Sequence, residues 1–433
     1  MDIIKPRIMK GTRDFLPEDM YIRERVIGII KEKFTRYGYQ PLATPAMEYY
    51  DVLTGKYGEE GEGLIFTLSY KGGKEVALKY DLTVPLCRVI AQYQDKITMP
   101  FKRYQIQPVW RAEKPQKGRL REFYQCDADV VGVKDVSAEV ESISLITDIM
   151  TALGFTNFTT LVNHRKLLSG LMAHLKITDE RVASAMRILD KIDKVGEEQV
   201  RLEFKEAGFE KTAVEALFTI TNKTGSPKDD LASIEKALGQ KPEAMAGIAD
   251  LKQVFALLTD VGMAERVSFA PRLARGLAYY TGTVYETVVT EPKIGSLAGG
   301  GRYDGLIGVF AGIDIPATGF AVGLERIVEV ITELGLMKDA VEMTKVLVAP
   351  LSRDELGTAM KIAKNLREGG INTDVYVEDD RMKKKLKYAD RLNIPKVVIV
   401  APEELSRGMV KIKDMKSGEE SEAKIEEVGG KVG

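Results

Sequence analysis

Between Tyr39 and Val131 extended segments follow one another with few helical patterns between them. Gly and Pro punctuate Tyr39–Ala46, Leu64–Leu68, Glu75–Leu78, Phe101–Ile106 and Tyr124–Val131. Strands joined without a crossover helix form an antiparallel sheet, because a parallel pair needs a long connection, usually a helix. The expected fold class is therefore α+β and not a Rossmann array. Helices flank this block. Pro17 suits a first helical turn, Glu18 and Asp19 favour its positive end, and Ile22, Val26, Ile30 and Phe34 recur at helical spacing before Gly38. Ser137 is placed to cap a second helix that ends at Leu153–Gly154.

From His164 to Ala264 charge is dense and balanced, and Val182, Met186, Leu189 and Ile192 follow helical spacing. Strand texture returns at Val267–Leu273 and Thr283–Val289, then Gly299–Gly301 and a helix over Leu324–Leu334. A sheet domain over 1–163 and 265–340 is thus expected to be interrupted by a helical insertion over 164–264. Residues 341–433 read as a separate α/β unit. Strands are expected at Lys345–Pro350, Ile371–Val377 and Lys396–Ala401, with helices around Leu356–Leu366 and over Met382–Leu392.

A chain of 433 residues exceeds one ordinary core, which fits this division. No run of about 18 apolar residues is present, so no membrane span is expected. Met1–Lys10 carries charge but no apolar run, against a secretory signal. Cys87 and Cys126 fit a reducing cytosol, and with two cysteines and two histidines a Cys/His metal site is not expected. A net charge of −1 leaves nucleic-acid binding to local basic patches.

Chemistry concentrates in three clusters. In Val109–Phe123 a basic loop carrying Gly118 joins two strand-like segments. Arg111 on a strand is a rigid bidentate phosphate ligand, Phe123 offers a face to a purine, and the loop can reach an RNA end. The alternative is a solvated, charged hairpin. In Leu273–Glu286, Tyr279 and Tyr280 stand between glycines near Arg275, which suits a pocket wall or a Tyr-rich edge strand. In Gly299–Leu306 and Gly319–Arg326, glycines permit close backbone approach to a ligand and Arg326 opens a helix. Each cluster offers arginine and none offers a His, Ser or Cys nucleophile. That composition suits phosphoryl or nucleotidyl transfer, where catalysis is positioning and charge stabilisation.

These segments resemble the three signature motifs of class II aminoacyl-tRNA synthetases. Pro17–Gly38 with the strand reaching Pro45 looks like motif 1, the arginine hairpin like motif 2, and Gly319–Arg326 like motif 3. Arg275–Tyr280 and Gly300–Gly305 are similar to two peptides of the histidyl-tRNA synthetases, and Lys10–Pro17 to that family's opening. The tail, including Met382–Asp390, resembles the family's anticodon-binding domain. The resemblance implies a cytoplasmic homodimer that uses ATP with Mg2+ to join L-histidine to histidine tRNA through a histidyl-adenylate.

By resemblance, Arg111 and Arg275 are catalytic and act on the α-phosphate. Arg111, Glu113, Arg119, Phe123 and Arg326 bind ATP. Asp81, Thr83 and Gln125 meet the α-amino and carboxylate groups of histidine, while Asp129, Tyr279, Tyr280 and Tyr303 form its pocket. Gln116, Lys117, Lys384 and Lys385 face tRNA. Asp81 and Asp129 stand where bacterial members commonly carry glutamate, and Ala278 replaces a common aspartate. Two other readings share the resemblance: a regulatory subunit of ATP phosphoribosyltransferase, which usually lacks the tail, and an RNA-binding relic, which would lose the phosphate-binding arginines.

Overall fold

The computed structural model describes residues 4–54, 61–69, 72–116, 118–223, 225–239, 241–274, 279–337 and 344–433. It divides into two compact units, Met1–Lys338 and Asp339–Gly433.

The first unit is built on an eight-stranded sheet of order β1-β5-β6-β11-β10-β9-β7-β8. Its strands are β1 Gln40–Pro41, β5 Phe101–Trp110, β6 Glu122–Val131, β7 Phe158–His164, β8 Val267–Phe269, β9 Thr283–Val289, β10 Ala298–Arg302 and β11 Ala317–Gly323. All neighbours are antiparallel except the edge pairs β1/β5 and β7/β8. A smaller sheet of β2 Met47–Tyr49, β3 Thr67–Leu68 and β4 Val76–Leu78 lies beside it in the chain. The antiparallel expectation holds, but the edge is shorter than expected: only Gln40 and Pro41 of Tyr39–Ala46 pair. Pro41 and Pro45 have no N–H to give a ladder, which confines this stretch to the edge.

One sheet face carries the main core. The helix Pro17–Arg36 lays Val26, Ile30 and Phe34 against it, all fully buried. Burying each such side chain contributes about 1.5–3 kcal/mol. Phe34 meets Tyr104 of β5 and Phe320 of β11 at ring-centroid distances of 5.3 and 6.2 Å. The helix Ser137–Ala152 packs on the same core through Ile143, Ile146, Ile149 and Met150. Its start corrects the capping expectation. Ser137 is the first helical residue and its N–H donates to Asp135 Oδ1 at 2.8 Å, so Asp135 supplies the cap. Arg302 then fixes this helix to the end of β10 by a two-pronged pair with Glu139, at 2.6 and 2.7 Å.

The chain between β7 and β8 is helical, from Arg165–His174 to Pro242–Asp260. Its Leu168, Leu171, Ile248 and Leu251 join the same core as the sheet. A further helix, Thr83–Gln92, was not expected from the sequence. Asp81 Oδ1 accepts from the N–H groups of Thr83 and Val84 at 3.1 and 3.0 Å, a cap for its first turn.

The second unit carries β12 Val346–Pro350, β13 Thr373–Val375, β14 Lys396–Val400, β15 Met409–Asp414 and β16 Glu420–Lys424. Their order is β13-β12-β14-β15-β16; the first three are parallel and the last two antiparallel. Helices Leu356–Glu368 and Met382–Arg391 cover it, each contributing to a different apolar cluster.

Glycine at 300 is fixed by packing between strands. A β-carbon there would overlap the Gly319 carbonyl oxygen and lie 2.6 Å from Phe320 Cα, backbone that cannot step aside. Gly300→Ala should therefore lower stability by about 3 kcal/mol, the upper range for overpacking. Urea unfolding at the wild-type midpoint would contradict this packing.

Candidate active site

The site begins with alternation along β6. Successive side chains of a strand point to opposite faces. Cys126, Ala128 and Val130 belong to the main core, which leaves Gln125, Asp127 and Asp129 on the other face. The register with β5 sets Gln107, Gln105 and Arg103 opposite them. Two buried carboxylates and a buried guanidinium thus share one small area. Arg103 has no solvent exposure; its Nη2 lies 2.8 Å from Asp129 Oδ2 and also donates to the Leu82 carbonyl at 3.1 Å. The Tyr303 hydroxyl donates to Asp129 Oδ1. Burial still leaves the Asp129 carboxyl above its ordinary range, with Arg103 and Tyr303 opposing the shift. Asp127 is pushed well above that range, again chiefly by burial.

Space over these acids comes from small residues on the neighbouring strands. Gly319 and Ala321 of β11 pair with Asp129 and Asp127, and Gly301 and Gly299 of β10 pair with Gly319 and Ala321. A β-carbon at Gly319 would sit 2.5 Å from Asp129 Cγ, so only glycine lets that carboxylate lie flat. The result is a cavity of about 740 Å3. Asp81, Thr83, Gln125, Asp127 and Asp129 line it with Tyr279, Tyr280 and Tyr303. Tyr279 contacts Tyr280 and Tyr303 edge-on at 5.0 and 6.0 Å. The helical segment adds Leu189, Asp190 and Ile192 to the wall, which the sequence did not suggest.

The other end of the cavity is cationic. Arg111, Arg119 and Arg326 line it with Glu113 and Gln116. Arg111 follows β5, donates from Nε to the Tyr80 carbonyl at 3.2 Å, and lies over the rings of Tyr80 and Phe123 at 4.3 and 5.1 Å. Arg326, near the start of the helix Leu324–Leu334, donates to the carbonyls of Ser296 at 2.6 Å and Gly118 at 3.3 Å. Arg119 pairs with Glu113 at 3.3 Å across the hairpin tip. A second recess of about 160 Å3 opens between Phe123, Leu297, Gly323 and Arg326. The buried pair Arg23–Glu325, at 2.9 Å, braces it from behind, and Glu325 also accepts from the Tyr124 N–H at 3.0 Å. A recess walled by the Phe123 ring beside fixed arginines can hold a purine and its phosphates, and the acidic end can hold a small cationic ligand.

Three sequence clusters therefore converge on one cavity. Arg275, Ala278 and Lys117 lie outside the described residues. Lys384 is exposed and pairs with Asp380 at 2.8 Å. Lys385 corrects an expectation: it is fully buried and donates to the Pro350 carbonyl at 2.7 Å, so it has no face for RNA. Helical periodicity explains this, because Lys385 shares the inward side with Ala389 four residues later. Asp127 is the acid that the sequence reading missed. The signal was the period of two in Gln125-x-Asp127-x-Asp129.

Comparison with known proteins gives the following. Residues 11–327 match the family model described as histidyl-tRNA synthetase, and residues 345–433 the one described as anticodon binding domain. A histidine–tRNA ligase of Christiangramia forsetii is 40% identical over 442 aligned positions, covering 96% of this chain and 97% of that one. One of Aeropyrum pernix is 41% identical over 418 positions, covering 96% and 95%. The crystal structure of histidyl-tRNA synthetase from a Nostoc species superposes with a TM-score of 0.87 at 29% identity, covering 99% of both chains.

Removing Arg103 tests the charge balance of the acidic end. Breaking a buried pair by deleting one partner costs about 3–5 kcal/mol, so Arg103→Met should destabilise by that order. Without the cation, the native Asp129 pKa rises further above its unfolded value, so the folded state holds its proton more tightly than the unfolded one. The deficit should then shrink at acidic pH and grow as pH rises through the folded pKa. Denaturant titrations at two pH values read both effects, and a loss independent of pH would contradict the arrangement.

Proposed function

The chain belongs to the histidyl-tRNA synthetase family, and we propose that the 740 Å3 cavity is where its two substrates, L-histidine and ATP, are joined. The enzyme is an ATP-dependent histidine–tRNA ligase that works through a histidyl-adenylate. One observation carries the site assignment: a cationic end and an acidic end share one cavity across the same β5–β6 hairpin.

In this reading, ATP lies at the cationic end. Phe123 stacks on adenine, Arg111 holds the α-phosphate and Arg326 the terminal phosphate, with Glu113 and Arg119 at the hairpin tip. Arg275 joins Arg111 on the α-phosphate. Histidine lies at the acidic end, its α-amino and carboxylate groups near Asp81, Thr83 and Gln125. Its imidazole ring enters among Tyr279, Tyr280, Tyr303 and Asp129. Asp129 already accepts from Tyr303 and faces Arg103, yet a carboxylate has about four lone-pair sites, so an imidazole N–H still finds an acceptor.

The histidine carboxylate attacks the α-phosphorus in line, and pyrophosphate leaves. That carboxylate is ionised at neutral pH, so the step needs no general base. What this chain supplies is charge: the fixed guanidinium of Arg111 meets the developing negative charge without reorganising, because Tyr80 and Phe123 already hold it. Among the described residues no cluster of three or more His, Cys, Asp or Glu side chains could hold a metal ion. Mg2+ would accordingly be held by the phosphates with Glu113 as the neighbouring carboxylate, and would neutralise charge on the pyrophosphate. For transfer to the tRNA 3′-hydroxyl, no histidine lines the cavity, and His164 is buried against Asp250 at 3.1 Å. A nonbridging oxygen of the adenylate phosphate is the base in this account.

Gln116 on the hairpin tip, together with Lys117, the next residue in the sequence, would meet the acceptor end of tRNA. On the second unit, Arg381, Lys383, Lys384, Lys387 and Arg391 are exposed on or beside one helix and would track anticodon-arm phosphates. A homodimer is part of the proposal, supported by Met47 and Tyr49 standing exposed on the small sheet. No helix among the described residues is long and apolar enough to cross a membrane, and the proposed compartment is the cytoplasm.

Arg111→Ala tests the catalytic reading. Loss of a preorganised charge at the reacting phosphate should lower kcat for histidine-dependent adenylate formation by roughly 10²–10³-fold, with the fold intact by circular dichroism. A well-folded variant with near wild-type kcat would remove Arg111 from the chemistry.

A further inference from the structure

We propose that Asp127, with Gln125 beside it, is the counter-ion of the substrate's α-ammonium group. The proposal rests on the placement of histidine at the acidic end of the cavity and adds a residue that the family resemblance left unassigned.

Commitments among the acidic groups lead there. Asp129 already faces Arg103 at 2.8 Å and accepts from Tyr303. Asp81 spends Oδ1 on the N–H groups of Thr83 and Val84, which ties it to the start of a helix. Asp127 has no such commitment. It is 2% exposed, lines the cavity, and among the described residues its one hydrogen bond comes from Gln125 Nε2 at 3.3 Å. No described cation forms an ion pair with it. Burying a carboxylate without a cation is costly unless the group takes up a proton or a positive ligand arrives.

Gln125 gives a second, independent sign. Its amide nitrogen points to Asp127, which leaves Oε1 as an acceptor, and that atom is buried with no hydrogen-bond partner. Gln125 and Asp127 sit two residues apart on β6, so both face the cavity side. An amide oxygen with no donor, beside a carboxylate whose single described donor is a neutral amide, fits a group with positive charge and several N–H bonds. A primary ammonium supplies three.

The substrate supplies such a group at the right stage. The carboxylate of histidine is consumed in forming the mixed anhydride, and the imidazole is largely neutral near pH 7. The α-ammonium alone persists as a cation from free amino acid through adenylate to ester. An anion placed against it therefore holds the amino acid through both chemical steps. Neighbouring charges favour this use: Arg103 is already paired with Asp129, and Arg111 is held at the other end by the Tyr80 carbonyl. The small Ala321 pairs with Asp127 on β11 and leaves the approach to the carboxylate open.

Asp127→Asn keeps shape and removes charge; Asp127→Ser serves if the first variant folds poorly. Steady-state kinetics on the full chain would measure KM for histidine and for ATP, with two competitive probes. Histidinol keeps the ammonium and lacks the carboxylate, whereas 3-(imidazol-4-yl)propionate keeps the carboxylate and lacks the ammonium. The expected result is a rise of about a hundredfold in KM for histidine and in the inhibition constant of histidinol, the range for unpairing a buried charge. KM for ATP and inhibition by the propionate should not weaken. Equal weakening of both probes would reduce Asp127 to a structural role and overturn the proposal. A parallel rise in KM for ATP would overturn it too, because Asp127 would then act by holding Arg111. Asp129→Ala separates the two levels of the argument. If it weakens both probes while Asp127→Asn weakens neither, histidine binds here and Asp127 is not its counter-ion. If neither substitution changes histidine binding, the placement of histidine in this cavity fails, and the proposal fails with it.

Discussion

Arg103 sits in the sheet with no solvent exposure, and its charge determines what the surrounding face can carry. Without it, Asp127 and Asp129 would be two carboxylates side by side in a low-dielectric interior, where neither ionises readily. With it, one acid is anchored and the other is left available. The same guanidinium begins a buried polar chain. Its Nη1 donates to Gln105 Oε1 at 3.3 Å, and Gln105 Nε2 donates to Thr44 Oγ1 at 2.9 Å and Gln107 Oε1 at 2.7 Å. Lys79 Nζ ends the chain on Gln107 Oε1 and the Thr44 carbonyl. Burial pushes the Lys79 ammonium down to about 8. Networks of this kind are costly when partly satisfied and specify one arrangement when complete. These bonds tie β5 to β6 and to the segment before β2.

Around that fixed face the fold alternates bulk with absence of bulk. Aromatic and aliphatic side chains fill the opposite face, where Phe34, Tyr104 and Phe320 meet. On the other face, Gly299, Gly319 and Ala321 line the cavity and leave it open. At the cationic end, backbone carbonyls accept from Arg111 and Arg326, and Glu113 pairs with Arg119. The same strands thus carry both kinds of charge: acids in the middle of the hairpin, arginines toward its tip.

Much of this was legible in the sequence because it depends on local pattern. The arginine hairpin, the helices Pro17–Arg36 and Leu324–Leu334 and the strand Thr283–Val289 follow from period, turn residues and caps. Other features depend on tertiary context. Thr83–Gln92 begins with a short apolar run that periodicity cannot assign to helix or strand, and its cap, Asp81, drew attention as a ligand instead. Lys385 belongs to a basic run that reads as one surface, yet a helix turns one lysine inward and the Pro350 carbonyl accepts it. Asp127 stands out only when the hairpin is divided into faces, because residue type alone does not separate it from a solvated carboxylate. The cavity wall from Leu189, Asp190 and Ile192 depends on how the helical segment folds back, which its own sequence does not encode locally.

The central claim is that one cavity selects histidine and activates it with ATP through fixed arginines. ATP–pyrophosphate exchange by the purified full-length protein, assayed with each of the twenty amino acids in turn, tests it most directly. The account predicts exchange that depends on L-histidine, with the other amino acids failing to support it, because the buried acceptors at the acidic end reject ligands that leave them unpaired. Absence of exchange with histidine, or comparable exchange with another amino acid, would contradict it.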